Sequence, residues 1–543
     1  MRLRGYRCIA LGVSVIAVLI FISVSAPLCA AQIAVTTYHY DNYRTGWNSH
    51  ESKLTPANVT KSTFGLLKAV PLDDQVDGQP LVVPGVMITA GHYQGTTHDV
   101  VYVATESNTV YAIDARSGTI LLRPNFGKPV PLPLGCNNNG PNVGINSTPV
   151  IDPTSNTLYV IVYTQDGAKQ NYTLHALDLG SLTDKVTPRP VAASHTLTNG
   201  TTFDFNAKYQ RQRPALLLTN DSVYAGFGSF CDYAGRHSRG WLLGWAADTL
   251  APFSSNQLND QRAKDNGSFF LSSVWMSGYG PATDDQGNIL FVTGNSDPGT
   301  YDGVTDIQES VVKISSTLAT VLDLFTPSNQ VALDQSDGDF GSGGVLVIPD
   351  QPGSIPHLAV AAGKDGNMYF MNEDNLGGYS PHKNNVLGTY AIGGCWCGQS
   401  YFMDADGTGR VVASGGNSIS LYRIETSPKV ALHFLKGSVS IPGSQNPGFF
   451  TSVSSNGTKA PIIWALSHPT GVGSDPINLY AFDPSSGKTT MKTLFSAQAG
   501  YWPNINGNSN LVPVVANGRV FVASNQTLEI FGLLDGKSGA KRK

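Results

Sequence analysis

The residues best suited to chemistry are concentrated between positions 231 and 378 of the 543-residue chain. Four short segments in this part are rich in carboxylate, amide, tryptophan and lysine side chains: residues 275–284, 292–299, 334–344 and 362–369. Carboxylate and amide oxygens bind hard cations such as Ca²⁺, and a carboxylate can accept a proton from a reacting group. The Asp-Gly, Asn-Ser and Asp-Pro-Gly combinations in these segments are also the ones that β-turns require. Turn formation is therefore the structural alternative to a ligand site.

The four segments resemble the quinoprotein alcohol dehydrogenases, eight-bladed β-propellers that hold pyrroloquinoline quinone (PQQ) and a metal ion in the central channel. The resemblance is best over residues 140–380. It implies that Asn295, in Gly294-Asn295, ligates Ca²⁺ through its amide oxygen. It also implies that Asp337 is the catalytic base and that Lys364 contacts the quinone oxygens. Asp232 lies where the family has a metal-binding glutamate.

The same resemblance extends the implied site to three side chains with shared roles. Asp337 is expected to ligate the metal ion as well, and Trp275 and Asp339 are expected to contact the cofactor. Ca²⁺ would act as a Lewis acid on the quinone carbonyl while Asp337 accepts the proton of the alcohol. The resemblance thus requires Asn295, Asp337 and Lys364 to converge from consecutive blades near the axis of the ring.

The sequence departs from the family pattern at the walls of the cofactor site. The family stacks its cofactor on a tryptophan where this chain has Gly278, and Trp275 lies three positions away. The adjacent cysteines that form the family's opposite wall are missing, and Ser336 and Gly299 replace two further tryptophans. An enzyme of this family therefore needs a flat slot beside Gly278 for its tricyclic quinone. If side chains pack across that space, the quinone site is expected to be vestigial and the propeller to work by binding alone. The chain has no Cys-x-x-Cys-His haem motif, so an enzyme of this kind would need an external electron acceptor.

A repeated pattern indicates the elements that must position these residues. Each copy consists of an apolar strand, a polar turn and a second apolar strand that leads into Asp and then Ser-Gly. The pattern recurs most clearly in residues 100–118 and 479–487. A unit of roughly 40 residues made of four short strands cannot bury its faces alone, so copies must stack around an axis. The pattern predicts an all-β, single β-propeller of eight four-stranded blades, with units at residues 78–122, 146–186, 213–253, 278–326, 340–376, 399–435, 449–492 and 509–534. The sixth unit is eroded, and seven blades is the alternative.

The two ends of the propeller, residues 64–534, are predicted to meet in one blade. The final unit is short and lacks its last strand, which residues 64–72 would supply from the other end of the chain. Such a closure removes two exposed sheet edges. Residues 32–63 form a polar, strand-poor N-terminal extension, and residues 535–543 are predicted to be a disordered tail.

The first 31 residues have the pattern of a secretory signal peptide, with basic residues, an apolar run and small residues before Gln32. Lipidation of Cys29 and an uncleaved anchor are the alternatives. Removal of the segment takes the formal net charge from −4 to about −7. Because no basic patch is present, nucleic acid is not an expected partner. After residue 31 the sequence contains no run of 18 apolar residues, so no integral membrane segment is predicted there. The sequence therefore predicts a periplasmic or secreted protein.

Four cysteines remain after the signal peptide: Cys136, Cys231, Cys395 and Cys397. In an exported protein they are expected to form two disulfides, for which three connectivities are possible. A single Cys-x-Cys is weak evidence for a metal or redox motif. We expect Cys395 and Cys397 each to bridge to a separate loop, with no free thiol in the mature chain.

Two classes of function remain open from the sequence. The first is a PQQ- and Ca²⁺-dependent dehydrogenase that oxidises an alcohol or a sugar and passes electrons to an external acceptor. The second is a non-catalytic propeller that binds a protein or a ligand, similar to the propeller lipoproteins that bind unfolded outer-membrane proteins, with a vestigial quinone site. A metal-dependent site of other chemistry is a third alternative.

Overall fold

The computed structural model describes residues 32–136, 139–232, 234–263, 270–471, 475–504 and 507–534. The predicted signal peptide, residues 1–31, and the predicted tail, residues 535–543, lie outside the described residues. Within the described ranges, no helix is long and apolar enough to cross a membrane.

Eight antiparallel sheets form the blades of one propeller, as the repeats predict. From the axis outward, the strands of the first four blades are Leu81–Met87, Thr97–Ala104, Val110–Asp114 and Ile120–Leu122; Val150–Asp152, Thr157–Asp166, Lys169–Asp178 and Arg189–Pro190; Leu217–Thr219, Ser222–Ser229, Trp241–Ala246 and Gln257–Leu258; and Ala282–Thr283, Ile289–Val292, Val311–Ile314 and Val321–Thr326. Those of blades 5 to 7 are Val345–Ile348, Leu358–Ala362, Asn367–Asn372 and Gly388–Ala391; Ser400–Met403, Gly409–Ala413, Ser420–Glu425 and Ala431–Gly437; and Thr451–Asn456, Lys459–Leu466, Pro476–Asp483 and Lys492–Tyr501.

Blade 8 closes the ring in the way the sequence predicts. Its inner strands are Val514–Ala516 and Arg519–Leu533, and its outermost strand is Phe64–Gln75 from the beginning of the propeller. Phe64 pairs with Leu533, and the antiparallel register continues to Gln75 and Asn525. Arg519–Leu533 doubles back at Gln526, which adopts φ +56°, so that Gly532 lies beside Gly518. The segment therefore supplies the two middle strands, and the blade has four strands, as expected.

Smaller elements decorate the blades. Three short strands add to the edges of blades: Trp47–Asn48, Gln210–Arg211 and Gly378–Tyr379. Two further pairs of strands form separate ribbons: Val130–Pro131 with Asn142–Val143, and Ser194–Thr196 with Thr202–Asp204. Among the described residues, the helices are one α-helix, Gln330–Ser336, and two 3₁₀ turns, Met276–Gly278 and Phe340–Ser342.

Neighbouring blades pack face to face, which buries most strands on both sides. Every residue of Ile289–Val292 and of Val345–Ile348 is buried. This packing explains why the inner strands are continuous apolar runs instead of alternating apolar and polar residues. Each buried Val, Leu or Phe side chain contributes about 1.5–3 kcal/mol to folding.

The N-terminal extension forms a central segment, residues 33–51, that contacts the innermost strand of all eight blades. Its backbone and side-chain hydrogen bonds reach, in blade order, Val82, Ile151, Leu218, Thr283, Val347, Tyr401, Val453 and Val515. These strands surround the axis, so the segment lies inside the channel. The polar residues that make this stretch strand-poor satisfy inner-strand backbone groups that would otherwise lack partners.

Candidate functional site

The blade topology brings the chemically interesting residues to one face of the ring. In an antiparallel blade, the segment before the first strand and the loop between the second and third strands lie on the same face. Trp275 and Asp337 precede the first strands of blades 4 and 5, whereas Asp232, Asn295 and Lys364 follow the second strands of blades 3, 4 and 5. All of the site residues predicted from the sequence therefore meet at this face.

These loops surround a cavity of about 480 Å³ at the mouth of the channel. Its lining is polar and comes from seven of the eight blades: Asp77, Arg211, Arg213, Ser229, Cys231, Asp232, Trp275, Ser277, Asp337, Asp339, Lys364, Trp396, Asn446, Gly507, Asn508 and Asn510. A volume of this size suits a small organic ligand.

Lys364 is the centre of one wall. Its Nζ lies 3.0 Å from Asp337 Oδ1 and 2.7 Å from Asp339 Oδ2. It also lies 5.7 Å from the ring centroid of Trp275 and 5.4 Å from that of Trp396. Both indoles are half-buried and line the cavity. A cation between two indole faces gains a favourable interaction with each ring quadrupole.

Asn295 joins this wall through its nitrogen atoms. Its Nδ2 donates to Asp337 Oδ1 at 3.2 Å, and its backbone N–H donates to Asp339 Oδ1 at 2.8 Å. Gly294 makes the second contact possible, because a Cβ at this position would collide with the Asp339 carboxylate. The structure thus brings Asn295, Asp337, Asp339 and Lys364 together, as the resemblance requires.

The charges of this wall are strongly coupled. Burial would raise the pKa of Asp339, but the Lys364 ammonium outweighs burial and holds the pKa below its usual value. Desolvation and the neighbouring Asp339 carboxylate raise the pKa of Asp337, which lies at the exposed mouth of the cavity. Desolvation would lower the pKa of Lys364, but both aspartates raise it above its usual value. Lys364 therefore remains an ammonium ion at neutral pH.

Asp232 lines the same cavity as Asp337. Its Oδ1 accepts a hydrogen bond from Ser229 Oγ at 2.6 Å. Desolvation, with a smaller contribution from Asp339, raises the pKa of Asp232 to about 6. In the described part of the chain, the carboxylate oxygens of Asp232, Asp337 and Asp339 do not all lie within 4.8 Å of one another.

The opposite wall carries two arginines that the sequence analysis did not identify. Arg211 Nε donates to Asn146 Oδ1 at 2.8 Å, and Arg213 Nη2 lies 3.6 Å from Asp77 Oδ1. Behind them, the fully buried Glu106 lies against Asp77; burial and then the charge of Asp77 raise the pKa of Glu106 well above its usual value. The raised pKa favours the neutral carboxyl of Glu106, and on this wall the two guanidinium groups outnumber the Asp77 carboxylate that lines the cavity with them.

Two aromatic rings lie in the channel. The Tyr279 ring fills the channel between blades 5 and 6, where a Cβ at Gly344 or Gly398 would collide with it. Tyr38, from the central segment, contacts the Tyr279 ring edge-on, with centroids 5.2 Å apart. The two aromatic rings therefore occupy part of the channel between the central segment and blades 5 and 6.

The slot expected beside Gly278 is filled. Gly278 adopts φ +89°, and a Cβ there would collide with the Arg213 guanidinium. The position where the family has a stacking tryptophan is therefore covered by a planar cation from blade 3. Trp275 and Trp396 provide the flat apolar faces of this cavity instead.

The disulfides correct one prediction. Cys136 pairs with Cys231, and Cys395 pairs with Cys397. The expectation that Cys395 and Cys397 bridge to separate loops is wrong, because the turn around Trp396 brings their Cα atoms to 4.8 Å. The expectation of no free thiol holds for the four cysteines among the described residues.

Comparisons of the whole fold find the same architecture in several solved structures. The sequence matches no family model, and a comparison with curated proteins finds no match. Among solved structures, a quinohemoprotein alcohol dehydrogenase from Comamonas testosteroni is similar with a TM-score of 0.57 and 14% identity, covering 94% of this chain and 82% of that chain. A europium-containing methanol dehydrogenase has a TM-score of 0.56 and 10% identity, with coverage of 92% and 98%. A quinohemoprotein alcohol dehydrogenase from Pseudomonas putida HK5 has a TM-score of 0.55 and 14% identity, with coverage of 94% and 82%.

The chain has the quinoprotein dehydrogenase fold. At identities of 10–14% the likeness establishes the architecture, and it agrees with the resemblance found in the sequence. What this quinoprotein-like propeller binds must be argued from its own cavity.

The cavity of the quinoprotein-like propeller suits an organic quinone better than it suits Ca²⁺. PQQ is a planar polycarboxylate, and Lys364, Arg211 and Arg213 supply cations beside two indole faces. For Ca²⁺, which takes six to eight oxygen ligands, the donors do not fit: Asn295 turns its amide nitrogen toward Asp337, and the Lys364 ammonium lies between Asp337 and Asp339.

The residues missed by sequence reasoning share one signal. Asp77, Arg213, Trp396 and Asn510 each lie shortly before the innermost strand of a blade, as Trp275 and Asp337 do. Aligning the repeat units on their first strands would have placed polar residues at the same position in successive blades. That alignment predicts which residues face the cavity, although it does not predict their contacts.

Proposed function

We propose that this propeller binds PQQ, or a closely similar planar polycarboxylate, in its central cavity and oxidises an alcohol or a sugar with it. The observation that carries the proposal is the combination of three cationic side chains and two half-buried indoles around one cavity. When bound, such a quinone supplies the two-electron acceptor. The protein's contribution is to hold a planar anion, to orient a substrate hydroxyl and to accept its proton.

Asp337 is the proton acceptor in this proposal. It lies at the mouth of the cavity, where a substrate can reach it, and the Lys364 ammonium and the Asn295 amide fix its carboxylate. Its raised pKa makes it a stronger base than an ordinary aspartate. Asp339 is buried behind it and keeps its charge, so it serves to hold Lys364 in place.

Export to the periplasm or the medium is part of the proposal. Two disulfides support it, because such bonds persist in oxidising compartments. The pattern of residues 1–31 is consistent with it. An exported dehydrogenase without bound haem would deliver its electrons to a separate acceptor protein.

The test uses purified protein spanning residues 32–543. PQQ is titrated while tryptophan fluorescence is followed, because Trp275 and Trp396 line the cavity. Oxidation of a panel of alcohols and sugars is then measured with an artificial dye as electron acceptor. We expect saturable quenching and PQQ-dependent turnover. Failure of PQQ to bind would overturn the proposal.

The assignment of Asp337 is tested by Asp337→Asn. This change keeps the shape and removes the base, so PQQ affinity should change less than about threefold while turnover falls about 10²–10⁴-fold. Asp350→Asn is the matched control, because Asp350 is an exposed carboxylate in the same blade, in the loop between its first and second strands and so on the other face. Equal turnover in Asp337→Asn and Asp350→Asn would exclude Asp337 as the base.

A second candidate function is ligand binding without catalysis. The filled position beside Gly278 favours it, because Arg213 takes the place of the tryptophan on which the family stacks its cofactor. The same titration separates the two. Saturable PQQ binding without turnover of any alcohol or sugar would support the binding function alone.

A further inference from the structure

The Lys364 ammonium has used all of its hydrogen-bonding capacity. An ammonium has three N–H donors, and Nζ lies 2.9 Å from the backbone oxygen of Asp337, 3.0 Å from Asp337 Oδ1 and 2.7 Å from Asp339 Oδ2. Three donors therefore meet three oxygens. This is the geometry of a cation fixed in its site.

The neighbours of Lys364 are arranged for this cation. Asn295 directs its Nδ2 donor to Asp337 and so offers no oxygen there. Asp339 is buried and ionised, and its other oxygen is held by the Asn295 backbone. A divalent ion in the same place would meet the positive charge of Lys364 at close range. It would also find Asp337 Oδ1 and both oxygens of Asp339 already engaged by Asn295 and Lys364. The two carboxylates therefore have their counter-ion from the chain itself.

We propose that the Lys364 ammonium is the resident cation of this cavity, in the place of a divalent metal ion, and that the cavity binds its planar anionic ligand without metal. The identity of that ligand rests on the proposed function, whereas the place of the cation rests on the geometry alone. Because Lys364 lies between the Trp275 and Trp396 rings, the positive charge and the flat apolar faces are presented to a ligand together.

The charged residues of this wall have two different roles. Asp337 and Asp339 position the ammonium, and Lys364 is the residue that meets the ligand. Removing the ammonium leaves two carboxylates with no counter-ion in a half-buried wall. Such a pair attracts a hard divalent cation, so the variant Lys364→Met should acquire the metal site that the natural chain lacks.

The first experiment measures CaCl₂ binding to residues 32–543 by isothermal titration calorimetry after treatment with EDTA. We expect no saturable binding at the cavity of the natural chain and saturable binding by Lys364→Met. Lys61→Met, an exposed lysine outside the cavity, is the control and should behave like the natural chain. Circular dichroism and urea unfolding establish that each variant is folded. Ca²⁺ binding by the natural chain that is lost in Asp337→Asn, or failure of folded Lys364→Met to bind Ca²⁺, would overturn the inference.

The second experiment measures PQQ affinity in EDTA and in CaCl₂. In the natural chain the two affinities should agree within about twofold. Lys364→Met should bind PQQ about ten- to a hundredfold more weakly in EDTA, because an anionic ligand loses the attraction of the nearby ammonium charge and meets two uncompensated carboxylates, and CaCl₂ should restore part of the affinity. An affinity of the natural chain that rises tenfold or more with CaCl₂ would overturn the inference.

The two failures are distinguishable. If PQQ binds to no form of the protein, the proposed function is wrong, and the calorimetry alone decides the place of the cation. If PQQ binds the natural chain only when Ca²⁺ is present, the proposed function stands and the metal-free site is wrong.

Discussion

Arg44 is the residue of the central segment whose loss should report how firmly that segment is held in the channel. Its side chain is fully buried and donates to Pro281 O at 2.8 Å, Thr37 Oγ1 at 2.7 Å, Tyr38 O at 2.9 Å and Leu216 O at 3.3 Å. One guanidinium therefore ties the segment to blades 3 and 4. Arg44→Met keeps most of the volume and removes these four hydrogen bonds, together with a longer one to Asp41 O at 3.4 Å.

Two opposing contributions set the expected loss in the free energy of unfolding. Four hydrogen bonds at about 1–1.5 kcal/mol each contribute about 4–6 kcal/mol. Against this, burial lowers the pKa of Arg44 from 12.5 to about 10, and at about 1.4 kcal/mol per unit the variant recovers about 3 kcal/mol of desolvation cost. The net destabilisation is about 1–3 kcal/mol. Because Arg44 is charged at any pH well below 10, the loss should be the same at pH 6 and pH 8.

Urea unfolding of residues 32–543 measures this difference, with Arg116→Met as the control. Arg116 is a surface residue whose side chain is 69% exposed and pairs with Asp99, so its loss should change stability by less than about 1 kcal/mol. Hydrogen exchange gives a local readout. The Thr283 and Val347 amides donate to carbonyls of the central segment and should exchange faster in Arg44→Met. A loss no larger than that of Arg116→Met, with unchanged exchange at both amides, would refute the reasoning.

Two further predictions concern stability. Burial raises the pKa of Glu529 from 4.5 to about 7, so the folded chain favours the neutral carboxyl. The contribution of Glu529 to the free energy of unfolding is fully present below pH 4.5. About 3 kcal/mol of it is lost as the pH rises through 7. Glu529→Gln should remove that contribution to the pH dependence in urea unfolding at pH 5 and pH 8, and an unchanged pH profile would contradict the assignment. The disulfides should differ, because Cys136–Cys231 closes a loop with a separation of 95 residues and Cys395–Cys397 one of 2. Replacing the first pair by alanine should cost about 2–4 kcal/mol and the second less than about 2 kcal/mol, measured by non-reducing urea unfolding; equal losses would exclude the chain-entropy account.

The repeated strand pattern predicts the propeller because the pattern is local. Strand, turn and a second strand with a Tyr-Ala-x-Asp ending, as at Tyr111–Asp114, indicate one blade of the propeller. The pairing of Phe64 with Leu533 also follows, because a final unit without its last strand needs a partner that the other end of the chain supplies. Both predictions depend only on the apolar surface and the strand edges that each short segment must cover.

The contents of the cavity could be predicted only in part. The motifs identified Asn295, Asp337 and Lys364 as neighbours, and the structure brings them within hydrogen-bonding distance. They did not indicate that the ammonium would lie between two aspartates or that Arg213 would cover Gly278. These contacts depend on side-chain directions set by the packing of blades 3, 4 and 5.

The sequence by itself determined the all-β architecture and the closure of the ring, because burial and turn formation act over a few residues at a time. Only the tertiary structure decided that the N-terminal extension fills the channel, that Cys395 bonds to Cys397, and that Lys364 serves as counter-ion to Asp337 and Asp339. The first two depend on distances across the ring or across a turn. The ion pairs of Lys364 with Asp337 and Asp339 depend on the relative positions of residues from separate loops.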